Sequence, residues 1–105
     1  MDVALFRNIP PNTVGVQVEL FSMARLVCGR SHLELDLPCD TTLADVAHAL
    51  VVACPALRGL AITTDGTGLL ASYALNLNDQ VFVTDTGVHP QQGDTLLLFS
   101  SQAGG

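Results

Sequence analysis

The sequence predicts an α+β domain, a mixed sheet of four to five strands packed on one main helix. Two segments with period-two alternation precede a single capped helical segment, and shorter extended segments follow it. The last of these is a continuous apolar run, the pattern of a strand placed in the middle of a sheet.

Val14 to Phe21 is the first expected strand, with Val14, Val16, Val18 and Leu20 on one face and Gly15, Gln17 and Glu19 on the other. Ser22 to Gly29 reads as a short irregular or helical connector ending at glycine. Ser31 to Leu37 alternates again, so an antiparallel hairpin with the first strand is expected. Thr42-x-x-Asp45 is a capping-box type start, and Leu43, Val46, Ala47, Leu50 and Cys54 follow at helical spacing until Pro55. Asp65-Gly66-Thr67-Gly68 is a turn. Leu69 to Leu77 reads as a strand, Asn78-Asp79 as a tight turn and Gln80 to Val83 as a short strand. After a polar loop from Thr84 to Gly93, Thr95 to Phe99 closes the fold. Its unbroken Leu96-Leu97-Leu98-Phe99 run predicts a central strand covered on both faces, beside the first. This order of elements is the β-grasp. The expected division is an N-terminal extension over 1–13, the domain over 14–99 and a flexible tail over 100–105.

The charge balance narrows the function. The net charge is −6, lysine is absent, and the four basic residues, Arg7, Arg25, Arg30 and Arg58, are scattered. A nucleic-acid backbone needs a basic stripe, so nucleic acid is not an expected partner. Charged residues make up 13% of the chain, against a usual share of about 25%. Some apolar surface is therefore expected to stay uncovered for a partner. The three cysteines, Cys28, Cys39 and Cys54, form no CxxC pair, which excludes a four-cysteine zinc site or ferredoxin-type cluster. No metal is expected. All three cysteines are expected to be reduced, as in a cytoplasmic protein. The N-terminus lacks the pattern of a signal peptide, and no apolar stretch reaches membrane-span length, so no membrane association is expected. His32, His48 and His89 are isolated, and no nucleophile motif or phosphate loop occurs. Nothing in the chain predicts an enzyme of its own.

The chemistry is concentrated in the tail. Ser100, Ser101, Gln102 and Ala103 lead from the last strand to Gly104-Gly105. Glycine lacks a Cβ, so such an arm threads a channel closed to other residues. It suits an enzyme that must reach the α-carboxylate of Gly105. A carboxylate resists nucleophiles; adenylation converts one of its oxygens into part of a leaving group, and sulfur then displaces it to leave a thiocarboxylate. None of this needs a catalytic side chain on this chain.

Gly93-Asp94, the strand ending at Phe99, the two small residues Ser100-Ser101 and the terminal Gly104-Gly105 resemble the MoaD/ThiS family of ubiquitin-like sulfur carriers. Val16 to Val27 is similar to that family's opening strand and connector, and Tyr73-Ala74-Leu75-Asn76 to its third strand. The resemblance covers 14–105. Ser100-Ser101 stands where many members carry Pro-Pro, and the extension and the Thr84–Gly93 loop have no clear counterpart. The resemblance implies a carrier whose Gly105 carboxylate is adenylated and thiocarboxylated for cofactor or metabolite biosynthesis, in the manner of a molybdopterin synthase small subunit. It implies a ubiquitin-activating-type adenylating enzyme as one partner and a sulfur-accepting synthase subunit as another. ATP and magnesium belong to the activating partner, and no cofactor is expected on this chain. Phe21, Val81 and Phe99, by position in the matching segments, are the expected docking residues, together with the arm from Ser100 to Ala103. Two other readings are a ubiquitin-like modifier conjugated through Gly105 and a non-catalytic β-grasp adaptor.

Overall fold

The computed structural model describes residues 13–83 and 89–100. Residues 1–12 of the extension, residues 84–88 of the polar loop and the tail from Ser101 to Gly105 lie outside them, and Thr13 already belongs to the first strand. Strand β1 (Thr13–Leu20) leads into helix α1 (Ser22–Cys28), followed by β2 (His32–Pro38) and helix α2 (Leu43–Ala53). A 3-10 turn (Pro55–Leu57), β3 (Tyr73–Leu77), the two-residue β4 (Val81–Phe82) and β5 (Thr95–Ser100) complete the order. The sheet runs β2-β1-β5-β3-β4. The β1–β2 and β3–β5 pairs are antiparallel and β1–β5 is parallel, so the last strand lies mid-sheet beside the first.

Local chemistry explains these boundaries. Thr42 caps α2: Asp45 N–H donates to the Thr42 hydroxyl at 3.2 Å, and Thr42 N–H donates to the Asp45 carboxylate at 3.1 Å. Val46, Ala47, Leu50 and Val51 form the buried face of this helix. They pack over Val18, Leu20, Leu33, Leu75, Leu96 and Leu98, which line one side of the sheet. Burying a leucine as Leu50 is buried stabilises by roughly 1.5–3 kcal/mol. α1 ends at Gly29, whose φ of 68° is left-handed and places its N–H on the Arg25 and Leu26 carbonyls.

The turns are as chemically determined as the helices. In the loop before β3, the Thr63 hydroxyl, the Thr67 hydroxyl and the Thr67 N–H all donate to Asp65. These donors, Thr63 first, favour the ionised carboxylate and hold its pKa below the ordinary aspartate value. Asn78 and Asp79 both adopt positive φ, 54° and 60°, a conformation that asparagine and aspartate tolerate better than other side chains.

Three expectations are corrected. β3 is shorter than the Leu69–Leu77 segment: Leu69 bridges Ile62, and Tyr73 N–H bonds Leu70 O in a turn before the strand starts. β5 is central but, among the described residues, only one of its sides is covered by a helix. Leu96 and Leu98 face the helix, whereas Leu97 and Phe99 face away and are half-buried. Finally, Cys28 and Cys54 form a disulfide, with Cα atoms 6.0 Å apart, and only Cys39 is a free, exposed thiol. The 26-residue separation hid this pairing, because α1 and the end of α2 meet only through the tertiary fold. Among the described residues no helix is long and apolar enough to cross a membrane, and no cluster of His, Cys, Asp or Glu is placed to hold a metal ion.

Candidate functional site

The site is built around β5, the strand that delivers the chain to the tail. Its beginning is latched to the β3–β4 turn. Thr95 N–H donates to the Asn78 side-chain oxygen at 2.9 Å, Asn78 N–H donates to Thr95 O at 2.8 Å, and the Asn78 amide group donates to Asp94 at 3.2 Å. Asp94 also accepts from Gln91 N–H at 2.7 Å, while Gly93, at φ 87°, supplies the sharp turn. Gly93 N–H bonds Gly15 O, tying the same turn to β1. The strand is thus fixed on both flanks before it runs to Ser100.

The open side of the sheet is unexpectedly apolar. The register pairs Ala74 with Phe99, Asn76 with Leu97 and Asn76 with Phe82, which puts these side chains on the face away from α2. The rings of Phe82 and Phe99 lie 6.3 Å apart at 46°. The parallel register Leu20↔Leu98 makes Phe21 and Phe99 the next residues in line, and Phe21 N–H bonds Leu98 O at 3.2 Å. Phe21 is in extended backbone, so the alternation of faces continues through it. Phe21, Phe99 and Phe82 therefore form a stripe across the sheet beside the root of the tail. Among them lies Asn76, buried, with no hydrogen-bond partner for its side-chain oxygen among the described residues.

The structure brings together Phe21 and Phe99 of the expected docking residues. Val81 is exposed but pairs with Leu77 on the alternate register, so it does not join their face; its neighbour Phe82 does. Sequence reasoning missed Phe82. The signal was the register: a tight turn at Asn78-Asp79 sets Phe82 against Asn76, and hence on the face of Leu97. Ser100, half-buried, is the last described residue of the arm. Ser101, Gln102, Ala103, Gly104 and Gly105 lie outside the described residues.

No protein-family model and no curated protein sequence matches the chain. Solved structures do. Small archaeal modifier protein 1 from Haloferax volcanii is 30% identical, with a TM-score of 0.72 over 87% of this chain and 99% of that one. Small archaeal modifier protein 1 from Methanosarcina acetivorans superposes with a TM-score of 0.71 at 20% identity, over 89% of this chain and 98% of that one. A Pyrococcus furiosus protein described as molybdopterin converting factor, subunit 1, gives 0.64 at 18% identity, over 83% and 97%. These last two bear on the fold, whereas the first carries sequence kinship across nearly its whole length. The chain belongs to the ubiquitin-like, MoaD/ThiS-type β-grasp family that includes the small archaeal modifier proteins.

Proposed function

We propose that this protein is a sulfur carrier, a protein cosubstrate whose Gly105 carboxylate is activated by a partner enzyme and converted to a thiocarboxylate. The observation that carries the reading is the construction of β5: a strand latched at its start, central in the sheet, and leading straight into an arm that ends in Gly104-Gly105. In the first step a Gly105 carboxylate oxygen attacks the α-phosphorus of ATP and pyrophosphate leaves. Sulfide, or a persulfide with a reductant, then attacks the acyl carbon, and AMP leaves with the oxygen. Nucleotide and magnesium are bound by the partner, which supplies positioning and charge stabilisation. The product is a soft nucleophile for a sulfur-accepting synthase subunit.

The stripe of Phe21, Phe99 and Phe82 is the docking surface we assign to the adenylating enzyme, with Ser100 to Ala103 as the arm entering its active site. Aromatic anchors of this kind dominate interface energetics. A cytoplasmic location rests on the requirement for ATP; the Cys28–Cys54 disulfide removes the argument from reduced cysteines.

A second reading is supported by the small archaeal modifier structures: conjugation through Gly105 to lysines of other proteins. The chain contains no lysine, so it cannot build side-chain-linked polymers of itself. Intact-mass analysis after incubation with a ubiquitin-activating-type enzyme, Mg·ATP and sulfide tests the carrier reading. Replacement of one oxygen by sulfur supports it; an unchanged mass with an enzyme active on another carrier contradicts it.

A further inference from the structure

We propose that α1 is a second docking element for the enzyme that acts on the tail, an apolar helix face with a basic rim, pinned by the Cys28–Cys54 disulfide. The proposal rests on the tail reading above.

α1 contributes little to the core. Of its seven residues only Ala24 is buried. Met23, Leu26 and Val27, at i, i+3 and i+4, share one face and are 49%, 71% and 38% exposed. Phe21, 40% exposed, extends this face towards the aromatic stripe on the sheet. A helix this short does not persist in water by propensity alone. It is held instead by its Gly29 C-cap and by the disulfide from Cys28 to Cys54, the C-cap residue of α2. A covalent pin on an element with one buried residue fixes the orientation of the outward face, which lowers the ordering cost of binding.

Charge and chain geometry identify what covers it. The molecule carries −6 and no lysine, yet Arg25 in the last turn of α1 and Arg30 just past its Gly29 cap line one groove with Leu26, and they are two of the three arginines among the described residues. Neither forms an ion pair with a described residue. The complementary partner therefore offers an apolar groove with an acidic rim, as in helix-in-groove recognition. α1 packs against β5 and starts where that strand ends. The five residues after Ser100 span at most about 18 Å when fully extended. An enzyme holding the Gly105 carboxylate thus lies within that distance of Ser100, at the end of the strand against which α1 packs. Two-fold pairing with a second copy is disfavoured, because the same patch on both copies brings four arginines into one interface.

The test measures affinity for the adenylating enzyme by calorimetry and, separately, KM and kcat for tail modification. Leu26→Glu and Arg25→Glu are compared with the full chain and with Val52→Glu, an exposed site on α2, after circular dichroism has confirmed folding. The proposal expects Leu26→Glu to weaken binding about ten- to hundredfold, entered as a higher KM, and Val52→Glu to change it less than about twofold. Arg25→Glu is expected to weaken binding most at low salt. A Cys28→Ser, Cys54→Ser double variant is expected to raise KM severalfold through a looser α1. Unchanged affinity in Leu26→Glu while the tail is modified normally overturns the docking role and leaves the tail reading standing. Binding that depends on Leu26 without any tail modification keeps the docking role and overturns the tail reading. A dimer that Leu26→Glu dissolves, with KM unaltered, assigns α1 to self-association and overturns the proposal.

Discussion

Phe82 and Phe99 meet at 6.3 Å on the side of the sheet that no helix among the described residues covers, beside the strand end that feeds the tail. Large aromatic side chains left half-exposed next to each other are unusual on a chain with so few aromatics, and the docking surface proposed above would account for them.

Phe99→Ala is expected to reduce affinity for the adenylating enzyme by at least about tenfold, with a smaller cost in stability of about 1 kcal/mol, because Phe99 is only half-buried. Calorimetric binding and thermal melts on the same variant check both halves. Unchanged fold and unchanged affinity together would remove the aromatic stripe from the account.

The disulfide closes a loop whose cysteines lie 26 residues apart, for which chain-entropy reasoning gives about 3.5 kcal/mol. Reduction by a dithiol is expected to lower Tm by on the order of 15 °C in a domain of this size. Melts with and without reductant, together with thiol counting, check it. One titratable thiol, Cys39, is expected before reduction and three after.

Asn78 combines a left-handed backbone with three hydrogen bonds onto the start of β5. Asn78→Ala loses the side-chain pair and the tolerance for positive φ, and is expected to destabilise by about 2 kcal/mol. Asn78→Gly keeps the backbone freedom and is expected to cost less. Denaturant unfolding of the two variants separates the contributions.

The Asp65 turn carries a pH signature. Its carboxyl pKa is depressed by the donating threonines, so the charged form is favoured in the fold. Stability from this source is present above the ordinary aspartate pKa, near 3.8, and is lost as pH falls through the lower folded value. The group is fully exposed, so the effect is local. The protection factors of the Thr67 and Gly68 amides, measured against their intrinsic exchange rates, are expected to fall in acid, and Asp65→Ala is expected to show the lower protection already at neutral pH.

Much of the fold was legible because its signals are local. The period-two pattern of β1 and β2, the Thr42–Asp45 box and the positive-φ pair at Asn78-Asp79 each depend on neighbours within a few residues. What escaped depended on distant contacts. The pairing of Cys28 with Cys54 follows from how α1 meets the end of α2. The open face of β5 escaped because an apolar run reads alike whether one or both sides are covered. The choice of Phe82 over Val81 depends on strand register, which a turn sets and a composition does not. The late start of β3 reflects a turn at Leu70 to Tyr73 that no glycine or proline marks.

The proposed chemistry resides at Gly105. It is tested most directly by intact mass after incubation with an adenylating enzyme from the same organism, Mg·ATP and sulfide, with a chain lacking Gly105 alongside. The account predicts replacement of one oxygen by sulfur, localised to the terminal residue by fragmentation and absent from the shortened chain. An unchanged mass, with the enzyme proven active on another carrier, contradicts it and leaves a β-grasp adaptor whose terminal glycines are incidental.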